Sequence, residues 1–112
     1  MKDLKNKVQL IGHLGGDPEV KQLENGKKMA RFSLATNQMY FDQKGEKVED
    51  TQWHNIVAWG KDAELVEKFL AKGSYVTLEG RLVYRSYEDK QGQKRTITEI
   101  VLNDLLLPPK NS

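Results

Sequence analysis

The chain has 112 residues, room for one compact domain and not for two. Hydrophobic residues at 38% and charged residues at 30% are a globular balance and exclude a disordered or fibrous chain. Eighteen Lys and Arg against sixteen Asp and Glu leave a net charge of +2, so bulk charge assigns no polyanionic partner, and the absence of cysteine excludes disulfides, thiolate catalysis and cysteine-ligated zinc.

The first seven residues, Met1 to Lys7, are charged and run directly into a strand pattern, without an apolar leader. No stretch is long and apolar enough to span a bilayer, so the expectation is a soluble intracellular protein with no membrane partner. From Lys7 to Leu14 the residues alternate, with Val8, Leu10, Gly12 and Leu14 on one face. Gly15-Gly16-Asp17-Pro18 interrupts this strand, Glu19 to Leu23 resumes it, and Asn25-Gly26 signals a tight hairpin. Lys28 to Asn37 is the second strand, with Ala30, Phe32, Leu34 and Thr36 opposite Met29, Arg31, Ser33 and Ala35. The polar run from Asp42 to Asp50 reads as a flexible hairpin arm.

Thr51 to Trp59 is the third strand, with Trp53, Asn55, Val57 and Trp59 on one face and His54, Ile56 and Ala58 on the other. The period then changes: Leu65, Val66, Phe69 and Leu70 form a helical stripe within Lys61 to Lys72, which Gly73 is placed to end. Ser74 to Tyr87 alternates again, with Val76, Leu78, Gly80 and Leu82 inward and Arg81, Val83, Arg85 and Tyr87 outward. Asp89-Lys90-Gln91-Gly92 turns the chain, Thr96 to Leu102 is the last strand, and Pro108-Pro109 ends regular structure. Met29, Phe32, Met39 and Phe69 are assigned to core or strand packing. Three strands, a helix and two strands make the fold class all-β with one helix: an OB fold, a five-stranded Greek-key barrel with the helix between strands 3 and 4. The domain covers residues 1–105, with a short extension over 106–112.

No constellation supports catalysis. His13 and His54 lie on separate strands without metal-pair spacing, the pairs Glu49-Asp50 and Glu88-Asp89 belong to turns, and Gly12, Gly15 and Gly16 precede a proline rather than a helix. No metal and no cofactor are expected. The two indoles on one strand face are more informative: placed beside cations, an aromatic face suits unpaired nucleic acid, since any base can stack on a ring while phosphates meet Lys and Arg. Core or subunit-interface aromatics are the competing reading.

The set Asn6-Lys7-Val8 through Gly12-His13-Leu14-Gly15, Asp17-Pro18-Glu19, Asn25-Gly26, Ala35-Thr36, Thr51-Gln52-Trp53-His54 and Glu79-Gly80 resembles the bacterial-type single-stranded DNA-binding family, over about Asn6 to Leu102. The resemblance implies a homotetramer of OB folds that binds single-stranded DNA in replication, repair or recombination. It carries base stacking onto Tyr40, Trp53, Trp59 and Tyr87, and phosphate contacts onto Lys7, Lys21, Lys61, Lys72 and Arg85. Asn55, Val83 and Ser86 stand where the family often has a basic residue; Arg81, with Lys44 and Lys47, is the expected compensation. His54 matches a subunit-interface position. The family's long tail with its acidic tip has no counterpart before Ser112, so the expectation is a short form whose replication or repair partners are not recruited through such a tip. A bacterial cytoplasmic, nucleoid-associated protein is expected ahead of a mitochondrial type. The alternatives are a dimeric primosomal adaptor of the same fold, and an OB module for protein or oligosaccharide.

Overall fold

A computed structural model describes residues 5–106. The expectations for the first four residues, for Pro108-Pro109 and for most of the 106–112 extension therefore lie outside the described residues. In chain order the elements are β1 (Val8–Leu14), β2 (Glu19–Gln22), β3 (Lys28–Phe41), β4 (Lys47–Trp59), α1 (Lys61–Phe69), β5 (Tyr75–Glu88) and β6 (Lys94–Leu106). The strands follow the order β1-β5-β6-β4-β3-β2, and a further β1–β3 pairing closes the circuit into a barrel. β1 and β2 are the two halves of the first strand read from the sequence, so the helix does stand between the third and fourth barrel strands.

Closure depends on a seam where β1 leaves β5 for β3. Six β1 residues, Val8 to His13, pair with β5, while His13 and Leu14 reach Ala35 and Leu34 of β3. Gly12 makes this possible: a Cβ there would lie 2.1 Å from the carbonyl oxygen of Ala35. The barrel interior holds Leu14, Ala30, Phe32, Leu34, Ile56, Ala58, Val76, Leu78, Ile100 and Leu102, and Ala63 and Val66 of α1 cap it together with Leu70 just past the helix end. Val8, Leu10 and Leu82 are partly buried against this core. The period-two residues read as inward thus do face in, because only one side of each strand is removed from water.

The helix departs from its expected form. It ends at Phe69, and Leu70 is already extended with φ −113° and ψ 144°. The buried stripe is Ala63, Val66 and Leu70, leaving Leu65 and Phe69 42% and 51% exposed. A stripe spaced three and four residues apart faces the barrel, and Leu65 is a full 100° off it. Gly73, with φ +88°, completes the turn after the helix instead of capping it. Phe69 and Met39 are therefore not core residues, whereas Met29 and Phe32 are buried.

The segment from Asp42 to Asp50 is a hairpin arm as expected: Asp42 to Glu46 make its tip, and Lys47 to Asp50 pair back onto Phe41 to Gln38. At its tip Asp42 Oδ1 accepts the backbone N–H groups of Lys44 and Glu46, and Gly45 takes φ +79°. The β5–β6 tip repeats the device, with Asp89 Oδ1 accepting from Gln91 and Gln93. Such aspartate-centred turns satisfy loop donors locally and let both ladders run further than alternation alone indicates. Asn25-Gly26 likewise sits in a wider loop, closed by Leu23 N–H donating to the Lys27 carbonyl at 2.7 Å.

Candidate nucleic-acid interface

Strand pairing decides which side chains share a surface, since directly opposed residues point the same way. Trp53, Asn55, Val57 and Trp59 of β4 stand beside Ala35, Ser33, Arg31 and Met29 of β3. Across the other edge Val57 pairs with Val101 of β6. β6 carries the surface on to β5 through Val101–Arg81, Glu99–Val83, Ile97–Arg85 and Arg95–Tyr87. Glu19 and Lys21 of β2 extend it on the far side, opposite Arg31 and Met29.

Three of the expected aromatics lie on this face and are open: Trp53 is 62% exposed, Trp59 39% and Tyr87 45%. None of the three rings belongs to the buried core, and each leaves part of its π surface uncovered. Trp53 leans over the chain reversal after β1, where a Cβ on Gly15 would lie 2.5 Å from its ring. Tyr40 is equally open, but its register partner is Val48. That puts it on the side of Thr36 and Gln38, the reverse of the ribbon bearing Trp53. Tyr40 therefore stands apart from the other three expected rings: its even spacing from Thr36 turns it to the other face of the β3–β4 arm.

The cations fall into separate groups. Arg85 lies on the aromatic face, where Glu99 accepts its Nε at 3.3 Å and its Nη2 at 3.0 Å. The hydrogen bonds and the charge of Glu99 raise the Arg85 pKa further, so it is a permanent cation. Arg81 is exposed on the same face. Lys21 joins Arg31, Arg85, Glu19 and Met29 around a shallow cavity of about 240 Å³. Lys61 opens α1 two residues after Trp59. Lys7 pairs with Glu79 at 3.6 Å on the β1–β5 side, and Lys72 lies in the turn after the helix, where its backbone N–H donates to Asp17 Oδ1 at 2.8 Å.

The histidines remain apart. His54 is part-buried, with Nε2 3.0 Å from Thr36 Oγ1, on the strand face opposite Trp53. His13 tilts against Tyr75 with ring centroids 4.8 Å apart.

Residues 5–107 match the model of the single-strand binding protein family. The chain belongs to that family. A single-stranded DNA-binding protein 1 from Chlorobaculum tepidum is 48% identical over 109 residues, 96% of this chain and 67% of its own length. Single-stranded DNA-binding proteins of Neisseria meningitidis serogroups A and B are 47% identical over 100 residues, 89% of this chain and 58% of theirs. This chain thus spans between 58% and 67% of the length of the curated relatives it matches. A solved structure of a Plasmodium falciparum SSB in complex with ssDNA superposes with a TM-score of 0.87 at 36% identity, covering 97% of this chain and 99% of the other.

For a member of this family, sequence reasoning missed two residues at the centre of the face, Arg31 and Glu99. Alternation puts Arg31 on the face opposite Ala30 and Phe32 and says nothing more of it. Glu99 carried a usable signal, a lone carboxylate beside Ile100-Val101-Leu102, the kind of placement that demands a partner. Tyr84, Phe41 and Met39 are also open, at 69%, 73% and 55%, along the two arms.

Proposed function

We propose that this chain binds single-stranded DNA without regard to sequence, as a non-catalytic coating protein in replication, repair or recombination. The observation that carries this reading is the open face on which Trp53, Trp59 and Tyr87 flank the guanidinium groups of Arg31, Arg81 and Arg85. Bases stack on the rings, with Tyr40 adding a ring on the reverse of the β3–β4 arm. Each stacked base contributes about 1–3 kcal/mol, and every base has a π-face, so sequence tolerance follows. Lys7, Lys21, Lys61, Lys72, Arg81 and Arg85 meet the phosphates. Duplex DNA keeps its base faces stacked inside and is a poor fit.

The working form is a homotetramer, in the cytoplasm, built from one OB domain over residues 1–105. Two features support self-association. From Val8 to Gly12 β1 is paired only with β5, so its other edge is open over those residues. Beside it Ile11, Tyr75 and Leu106 are at least half exposed, and Ile11 and Leu106 line a cavity of about 330 Å³. His54, on the strand face away from the indoles, is placed at a subunit contact.

Titration of intrinsic tryptophan fluorescence with oligo(dT), run beside duplex DNA across a salt series, tests the reading. Single strands are expected to quench both indoles, with log K falling by about 0.7 per contacted phosphate against log salt. Quenching by neither nucleic acid, or affinity that ignores salt, would refute it. Native mass measurement separates tetramer from the dimer of a primosomal adaptor.

A further inference from the structure

Between the two indoles the face is occupied by charge instead of rings. Glu99 is 4% exposed and is the only buried charged residue among the described residues. Besides the two hydrogen bonds from Arg85, its Oε2 lies 3.4 Å from Arg31 Nη1. Two arginines face this one carboxylate, and with Glu19 opposite Arg31 and Asp17 on the same cavity what distinguishes the two cations is their fixed placement rather than a surplus of charge. Both guanidinium side chains remain partly open, at 39% and 44%. Neither uses all its donors on Glu99, and Arg31 Nε is buried without a partner. Arg31 and Glu99 line a cavity of about 290 Å³ together with Asp17, Glu19, Ser33 and Asn55.

Register gives this cluster its place relative to the rings. Arg31 is opposite Val57, two residues from Trp59 and four from Trp53, or about 7 and 13 Å along the strand. Arg85 is two residues from Tyr87 on β5. A strand of DNA lying from one indole to the other passes over Asn55 and Val57, with Arg31 beside Val57 on the adjacent strand.

We propose that Arg31, Glu99 and Arg85 form a preorganised clamp for one phosphate between the bases stacked on Trp53 and Trp59. Arg31 and Arg85 contact the phosphate, and Glu99 is a positioning residue that holds both planar forks in place before DNA arrives. The proposal rests on the single-strand reading above. Its physical basis is that a long side chain fixed in advance loses little freedom on binding, whereas a free surface arginine gives up rotamer entropy to the contact. A carboxylate in the middle of a polyanion-binding face opposes binding through its own charge. The order it imposes on two cations outweighs that opposition.

The experiment measures oligo(dT) affinity by tryptophan fluorescence across a salt series for the full chain and for R31Q, R31K and E99Q, with K68Q on α1 as a control away from the face. R31Q is expected to weaken binding and to reduce the log–log salt slope by about 0.7, one phosphate. R31K keeps the slope and the ion pair to Glu99 but binds more weakly than the parent, because an ammonium cannot present a fork. E99Q is expected to weaken binding several-fold although it removes a negative charge from the face, and K68Q leaves affinity and slope unchanged. Tighter binding by E99Q, or an R31Q slope equal to the parent's, overturns the clamp while parent binding still stands. A parent chain with no salt-dependent binding overturns both readings. Should E99Q fail to fold, the slopes of R31Q and R31K decide the matter alone, since Arg85 still pairs with Glu99 in both.

Discussion

Gly15 and Gly12 are three residues apart on the same stretch of chain, yet the neighbours that exclude a side chain are different in kind. At Gly15 the obstacle is the Trp53 ring, 2.5 Å from the position of an added Cβ. A ring at the end of a side chain can swing, so Gly15→Ala is expected to leave the barrel folded while pushing the indole off its seat. Oligo(dT) affinity then falls towards that of Trp53→Ala, itself about 5- to 150-fold weaker than the parent if one stacked base is lost. Unaltered affinity in Gly15→Ala would mean that the ring's position does not matter to binding. At Gly12 the obstacle is backbone, the Ala35 carbonyl oxygen at 2.1 Å. Backbone in a closed barrel cannot swing aside. Gly12→Ala is expected to lose about 1–3 kcal/mol of stability, read as a lower thermal midpoint. Parity along one strand is enough to show that Trp53 and Trp59 share a face, because both lie on β4. Neither glycine's burden is legible that way, since each depends on which element crosses over it. The same holds for Arg31 and Glu99, which come from β3 and β6 and meet only once β4 is placed between them.

At the scale of elements, the two hairpin tips use one design, Asp-x-x-Gly between paired strands. In the β5–β6 tip the Asp89 carboxyl is held below the usual carboxylate range, first by the backbone N–H of Gln93, then by the Arg95 guanidinium at 3.0 Å and by Gln91 N–H. A depressed folded-state pKa means that the charged form favours the folded tip. Its contribution is complete above the unfolded value of about 3.9 and is lost as pH falls through the lower folded value. Hydrogen-exchange protection factors at Gln91 and Gln93 are thus expected to be constant from pH 7 to about pH 5 and to drop at still lower pH. The Asp89→Ala tip is expected to be poorly protected throughout. Equal protection in the parent at pH 5 and pH 2 would show that the carboxylate does not hold the turn. The alternating pattern made the strands themselves legible, but their ends were not: polar residues beyond Asn37 and before Thr51 carry no inward face, since the arm they build has no core to face. The helix was legible in type and approximate place. Its exposed Leu65 and Phe69 were not, because a nine-residue helix capping a barrel touches it along a narrower stripe than the sequence offers.

Across the whole molecule, the shape argues for company. The radius of gyration is 16.3 Å, against roughly 13 Å for a compact domain of about 100 residues. The excess comes from the two arms, which run past the barrel and carry Tyr40, Phe41, Tyr84 and Tyr87 in the open. A small domain with part of its length outside its core has little stability of its own to spare, so association contributes to the folded state by mass action. The open edge of β1 and the exposed Ile11, Tyr75 and Leu106 beside it are where two copies can join, because a second strand there satisfies free backbone groups while covering apolar side chains. This face lies on the β1–β5 side, whereas Trp53 and Trp59 stand on β4, so joining leaves the indoles open and covers ground only near Lys7 and Glu79. Two consequences follow from that arrangement. The thermal midpoint of the parent chain is expected to rise with protein concentration, as it does for any fold stabilised by its own copies. Ile11→Glu, which places a charge in the contact at a residue that is itself 54% exposed and outside the core cluster, is expected to yield smaller assemblies by native mass measurement, with a midpoint lower than the parent's and less dependent on concentration. Its affinity for an oligonucleotide short enough to occupy one barrel is expected to remain near the parent's, since Trp53, Trp59 and Arg31 are untouched. An Ile11→Glu protein that assembles like the parent would place the subunit contact elsewhere on the barrel.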